Sequence, residues 1–291
     1  MLISAMVVHE VDPWTLQGAD VDALAFSEGV LGGYRVGPTR RRTAFGEVVL
    51  GLGEDRARLV ELDIYDVARG HVRSAILHHD LTAAAVVRHK RIHPIIGVGV
   101  EDDVPYVVRP LRLGRTLAEL EAADGLDDDV AIVIIHALAE ALRHLIKGDT
   151  PALGGFDARD VYLTFDGQVL LTGLGLGALR PVLEGELVDE LRVLAASSDE
   201  PNLTLDVRDP VAFFELAQRL LRVAGPEALD EAEDRKSSSI DQRIRILERS
   251  MRRYHGTVLA TGARFVGRAL RRTFAESVED ERTFFGLPGI H

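Results

Sequence analysis

The sequence predicts an α+β fold: a smaller strand-rich first part, then a larger helical second part that contains one hairpin. Three observations predict it. Short β-branched and apolar runs bounded by turn residues gather before about residue 112, around a single helical stretch. From Thr116 onward apolar residues recur at helical spacing. Within that helical part, residues 161–164 and 169–172 flank Asp166-Gly167, a dipeptide suited to the positive φ angles of a tight hairpin turn.

The elements follow in order. Residues 1–33 read as an N-terminal extension of mixed helical pattern, closed by Gly32-Gly33. Strands are expected at 47–50, 59–62 and 106–108, with turns at Gly51-Leu-Gly-Glu-Asp55 and Glu101-Asp-Asp-Val-Pro105. A helical pattern over 75–91 interrupts them. A long helix is expected at 127–147, with an acidic first turn that complements the helix dipole and Gly148 as its stop. After Pro181, helices are expected at 184–196, 210–224 and 240–275, with 231–239 as a polar linker. The implied division is 1–33, 34–112, 113–230 and 231–291, the last being a linker and a basic helical segment.

Composition excludes several chemistries. The chain has 291 residues, a formal charge of −12 and no Cys. A disulfide scaffold, a thiol nucleophile, an iron–sulfur cluster and a thiolate zinc site are therefore excluded. Basic residues are 31 Arg and only Lys90, Lys147 and Lys236, so a lysine-dependent mechanism has three candidates. The N-terminus lacks a basic leader and is interrupted by His9, Glu10 and Asp12. The longest apolar run, 130–145, contains His136, Glu140, Arg143 and His144, too polar a set to span a membrane. These features lead to the expectation of a cytoplasmic chain, and the acidic balance argues against general nucleic-acid binding. The charge is uneven, however. Residues 240–275 hold nine Arg against Asp241 and Glu248, a local +7 that leaves −19 on the remainder. That basic segment either docks on its own acidic body or meets an acidic partner protein, a membrane surface or a nucleic acid.

A series of short motifs runs through the chain in fixed order. Arg41-Arg-Thr-Ala-Phe-Gly46-Glu-Val48 is followed, seventeen residues after Gly46, by Val60-Glu-Leu-Asp63. Next come His93-Pro94-Ile-Ile96 and Tyr106-Val-Val-Arg-Pro-Leu-Arg-Leu-Gly-Arg-Thr-Leu117. Gly155-Phe-Asp-Ala-Arg-Asp160 precedes Gly173-Leu174-Gly175 by thirteen residues, counted from Asp160. Ala195-Ala-Ser197 and Arg208-Asp209-Pro-Val-Ala-Phe-Phe214 complete the series.

From Tyr34 to about Leu221 this order and spacing resembles the protein-kinase family, in a degenerate form of the bacterial Ser/Thr kinase-like type. The resemblance implies a two-lobed fold with a nucleotide cleft between a strand-rich and a helical lobe. It also implies where the chemistry should sit: a Lys on the phosphates, a Glu on that Lys, a catalytic Asp, and an Asn and an Asp on Mg²⁺. Here Asp63 takes the Lys position, Gly155 the catalytic Asp, Gly173 the metal Asp, and Asp160 the Asn. The helix-borne acid falls among Thr82, Ala83 and Ala84. Of the loop glycines only Gly46 remains, the others being Arg41 and Thr43. What this implies is a pseudokinase with no catalytic residue and no bound ATP or Mg²⁺, a regulatory or scaffolding module that binds protein; the basic runs extend that expectation to acidic partners. The degenerate cleft is outlined by Gly46, Asp63, Arg109, Asp160 and Gly173.

Partner-binding candidates are Arg40, Arg41 and Arg42, read as a loop over the cleft, and Arg252, Arg253, Arg271 and Arg272 in the basic segment. Two other readings stay open: an atypical kinase or nucleotide-binding protein using Asp160 and an arginine, and a small-molecule or anion sensor lined by Arg40–Arg42 and Arg109. Gly173-Leu-Gly-Leu-Gly177 also admits a dinucleotide turn, although Pro181 opposes the helix such a turn needs. His71, His78, His79, His89 and His93 admit a metal site.

Overall fold

A computed structural model describes residues 26, 29–43, 45–53, 59–66, 71–147, 156–177, 208–224, 226–233 and 240–278. The expected helix at 184–196, Gly155 and Ala195–Ser197 lie outside the described residues.

The first half is a six-stranded antiparallel sheet in the order β1-β2-β3-β4-β6-β5. Its strands are β1 (Val30–Leu31), β2 (Tyr34–Thr43), β3 (Gly46–Gly53), β4 (Leu59–Ile64), β5 (Gly97–Glu101) and β6 (Val104–Pro110). The strands expected at 47–50, 59–62 and 106–108 are the centres of β3, β4 and β6. The other three carry too few alternating apolar residues to announce themselves. Two readings change here. Gly32-Gly33 does not close an extension: with φ of 58° and 86° it is the turn between β1 and β2. And Arg40, Arg41 and Arg42 belong to strand β2, not to a loop.

α1 (His71–Ala84) is the helix expected at 75–91; it starts earlier and stops seven residues sooner. Its last residue, Ala84, lies against Gly175, whose φ of 86° strains any other residue and where a Cβ would crowd Ala84 at 3.1 Å. Beyond β6 a second sheet, β7-β8-β9, is made by Gly114–Thr116, Val161–Thr164 and Val169–Leu171. The β8–β9 hairpin turns at Asp166-Gly167 as the sequence predicts, with Gly167 at φ 90°.

The helical half is built around α3 (Asp128–Lys147), buried along nearly its whole circumference. Asp127 caps it, its Oδ1 accepting from the Val130 amide at 3.0 Å. Before it, α2 (Leu117–Ala122) starts in a capping box made by Thr116 and Glu119. Packed on α3 are α4 (Arg208–Ala224), α6 (Ile240–Ala260) and α7 (Gly262–Thr273), while α5 (Pro226–Glu233) joins α4 to α6. The basic stretch 240–275 is therefore divided at Thr261 into α6, itself kinked at His255, and α7, and part of the polar stretch 231–239 is the end of α5. No described helix is long and apolar enough to cross a membrane.

Candidate functional site: the cleft between the sheet and the helical half

The cleft is built from β4 outward. In Leu59-Val-Glu-Leu-Asp-Ile64, Glu61 and Asp63 are two apart and so share one face of the strand. Both are buried, Glu61 at 1% exposure and Asp63 at 8%. A buried carboxylate must be matched by a donor or it neutralises. Arg109, on neighbouring β6 and directly opposite Glu61 in the register, supplies one. Its Nε donates to Asp63 Oδ2 at 2.9 Å and its Nη1 to the His93 carbonyl at 2.7 Å. The second oxygens of both acids, Glu61 Oε2 and Asp63 Oδ1, accept no hydrogen bond among the described residues.

The other cations come from β2. Thr39 pairs with Val49 and Arg41 with Val48, so Arg40 is an extra residue in the ladder. That bulge breaks the alternation of the strand and lets successive arginines serve one cluster. Arg40 Nη1 donates to Glu61 Oε1 at 2.5 Å and to the Arg112 carbonyl at 3.1 Å. Arg41 stands in one row with Val48 and Asp63 across the sheet. Its guanidinium lies 4.9 Å from the centroid of Tyr162 on β8, a cation–π contact that bridges the two halves of the molecule. Arg42, third of the run, is exposed.

Tyr162 forms the floor. Its hydroxyl donates to the same Arg112 carbonyl at 3.0 Å, and its ring is near-parallel to His93 at 6.2 Å. His93 is itself buried, with Nε2 3.1 Å from the Pro110 carbonyl, which places the proton on Nε2. Burial, reinforced by the Arg109 charge, holds the His93 pKa well below the usual histidine value. Burial pushes the Glu61 carboxyl up, against the pull of Arg40 and Arg41. Burial also works against the Arg41 charge, yet the fields of Glu61 and Asp63 outweigh it and raise the Arg41 pKa.

The remaining predicted positions separate. Asp160 ends the 3₁₀ turn Ala158–Asp160, and its Oδ2 accepts from the Asp157 amide at 2.9 Å in a capping box. Its carbonyl accepts from the Thr172 amide and hydroxyl at 2.7 and 2.9 Å, tying that turn to the end of β9. Gly173 follows with φ 77° and carries no side chain towards the cleft. Gly46 has its own steric reason: a Cβ there would meet the Ile64 carbonyl at 1.9 Å. The histidines disperse. His89 stacks on His144 at 4.7 Å and His79 pairs with Asp80, while His93 is in the cleft. Among the described residues no three His, Cys, Asp or Glu side chains come together as a metal would need.

The basic helices divide by residue. Arg252 donates to Glu248 at 2.6 Å and to His136 at 3.2 Å. Arg271 donates to the Phe165 carbonyl at 2.7 Å, and Arg272 is 3.6 Å from Asp127. These three dock the segment on its own body. Arg253 is exposed, over the ring of Tyr254.

Sequence reasoning passed over Glu61, Tyr162 and Arg112. The first had a legible signal, since two acids at a spacing of two inside an otherwise apolar strand demand buried cations. Tyr162 and the Arg112 carbonyl had none, because their contacts depend on how the two halves meet.

No family model matches the chain, and no curated protein does. Solved structures do. The kinase domain of PknI from Mycobacterium tuberculosis matches with a TM-score of 0.57 at 18% identity, covering 78% of this chain and all of that one. A double mutant of that domain matches at 0.57 and 17%, with the same coverage. A single mutant of it matches at 0.53 and 17%, covering 86% of this chain and all of that one. The chain has the protein-kinase fold, with the cleft described above in the place between the lobes.

Proposed function

We propose that this chain is a catalytically inactive, kinase-fold module that regulates or scaffolds by binding protein, without bound ATP or Mg²⁺. One observation carries the reading: Asp63, which the motif spacing sets at the phosphate-binding lysine position, is buried on β4 and already paired with Arg109. A carboxylate there repels a phosphate instead of holding one. Restoring a lysine would not be a local change, because Arg109 is only 1% exposed and would lose its counter-ion.

The rest of the cleft agrees. The Arg41 guanidinium covers Tyr162, and the Arg112 carbonyl, at the end of the strand that resembles a kinase hinge, already accepts from Arg40 and Tyr162. The residues present therefore do not fit a magnesium nucleotide. Thr82, Ala83 and Ala84 on α1 offer no carboxylate, and Lys90 pairs with Glu140 at 3.2 Å, away from the cleft. Losing one preorganised charged group costs on the order of 10²–10³ in rate, and here several positions lack theirs together.

Thermal unfolding with and without ATP and Mg²⁺ tests this. The expected result is no change in melting temperature, since a ligand stabilises only a fold that binds it. A clear rise, or autophosphorylation that disappears in Asp160→Ala, overturns the reading.

A further inference from the structure

The C-terminal helices carry a second, different set of arginines. α6 buries Ile244, Leu247, Glu248 and Met251 against its own body. On the opposite side, its exposed residues include Arg245, Arg249, Arg252 and Arg253 and no carboxylate. Arg245 is neutralised by Asp241 at 2.5 Å and Arg252 by Glu248 at 2.6 Å. Arg249 has no ion pair, hydrogen bond or ring contact among the described residues, and Arg253 touches only the Tyr254 ring. α7 repeats the pattern. Arg264, Arg268 and Arg272 recur every fourth residue, all exposed, and the first two have no partner among the described residues. A chain of net charge −12 thus holds, on two adjoining helices, four exposed arginines with no carboxylate partner among the described residues.

We propose that the exposed arginine rows of α6 and α7 dock a short acidic segment of a partner protein, taking carboxylates in bidentate guanidinium contacts. This rests on the reading above only in taking protein binding as the chain's task. The spacing supports it. Residues four apart on a helix are separated by about 6 Å along the axis. An acidic helix presents carboxylates at that same repeat, and side chains on one face of an extended segment repeat about every 6.6 to 6.8 Å, close to the same distance. Arginine's planar fork suits carboxylates at such a repeat.

The occupant's size follows from charge. A duplex or an anionic bilayer extends far past two helix faces and meets the remaining −19 of the chain. At physiological salt that repulsion acts within about 8 Å, so only a ligand confined to the arginine rows escapes it. A short acidic segment is so confined.

The test is fluorescence anisotropy on the full chain with a labelled Asp/Glu-rich peptide, a duplex DNA, and phosphatidylserine vesicles. The peptide is expected to bind, with affinity that falls as salt is raised. Arg249→Glu with Arg253→Glu is expected to weaken it at least about tenfold, and Arg249→Gln with Arg253→Gln by less. Matching melting temperatures confirm that the variants fold. Peptide binding unaffected by charge reversal overturns the proposal, as does duplex or vesicle binding as tight as the peptide's. Kinase activity would instead overturn the functional reading and leave this surface standing.

Discussion

The arginines of β2 and those of α6 are alike in the sequence, as short basic runs, yet they have opposite fates. Arg40 and Arg41 turn inward, to Glu61 and across the cleft to Tyr162. Arg249 and Arg253 stay in solvent on a helix whose other side is fixed to the body. The difference lies in the opposite charges. β4 buries two carboxylates that must be compensated, so it draws cations in. α6 carries one buried carboxylate, Glu248, already shared by Arg143 and Arg252. Once those positions are filled, further arginines have nothing to pull them inward.

The contrast breaks most decisively at Asp63. Asp63→Ala leaves the Arg109 charge buried with its main partner gone, and the expected destabilisation is about 3–5 kcal/mol. Urea unfolding measures it. Replacing both residues together, Asp63→Leu with Arg109→Met, is expected to recover most of that loss, because no unpaired charge then remains. A single-variant loss under about 1 kcal/mol would mean that the buried pair is not what organises the cleft. At the α3–α6 seam, Glu248→Ala is expected to cost about 1.5–3 kcal/mol, the range for hydrogen bonds to charged groups. It costs less than Asp63→Ala because Arg143 and Arg252 both reach water.

How much of this was legible follows from the same distinction. Elements whose signals are local came through: the β8–β9 hairpin at Asp166-Gly167, the long helix α3 behind Asp127, and β3, β4 and β6 from their apolar runs. β5 did not, because Gly97-Val-Gly-Val-Glu101 has glycine on alternate positions and depends on pairing with β6. The β1–β2 hairpin was hidden because Gly32-Gly33 reads as the close of an extension, and the far half of β2 because Arg40-Arg41-Arg42 reads as a solvated loop until the buried acids opposite are known. In the site, Asp63 and Arg109 were found through the spacing of motifs. Glu61 was available from periodicity alone. Tyr162 was not, since it joins the cleft only when β8 packs beneath the first sheet.

His93 sharpens the contrast by pH. Its folded pKa is depressed, so the unfolded chain binds the proton first as pH falls. The stability it contributes is complete above about 6.5 and is lost below, at roughly 1.4 kcal/mol per pH unit until the folded group titrates. Glu61 acts oppositely. With a raised folded pKa, its contribution is present below about 4.3 and fades as pH rises through the folded value. Denaturant unfolding between about pH 7 and 5 is therefore expected to show a shallower slope in His93→Gln than in the parent. Equal slopes would mean that folding leaves the His93 pKa where it stands in the unfolded chain.

The smallest expected effect falls on Arg41, and it separates two explanations of the cleft. The Arg41 side chain makes no hydrogen bond among the described residues; it covers the Tyr162 ring and feels the fields of Glu61 and Asp63. Arg41→Ala is thus expected to cost about 1–2 kcal/mol. The same variant uncovers the Tyr162 ring while leaving Asp63 paired and Arg112 capped. If the acid on β4 is what excludes nucleotide, Arg41→Ala still shows no rise in melting temperature with ATP and Mg²⁺. If Arg41 is the sole obstacle, removing it produces one, and a ligand at about a hundred times its Kd would add about 2.7 kcal/mol of stability. That gain exceeds the cost of the substitution, so the two outcomes have opposite signs. A rise would reduce the difference between this cleft and a nucleotide site to one displaceable side chain. Its absence keeps the difference in the strand itself, at the buried pair of Asp63 and Arg109.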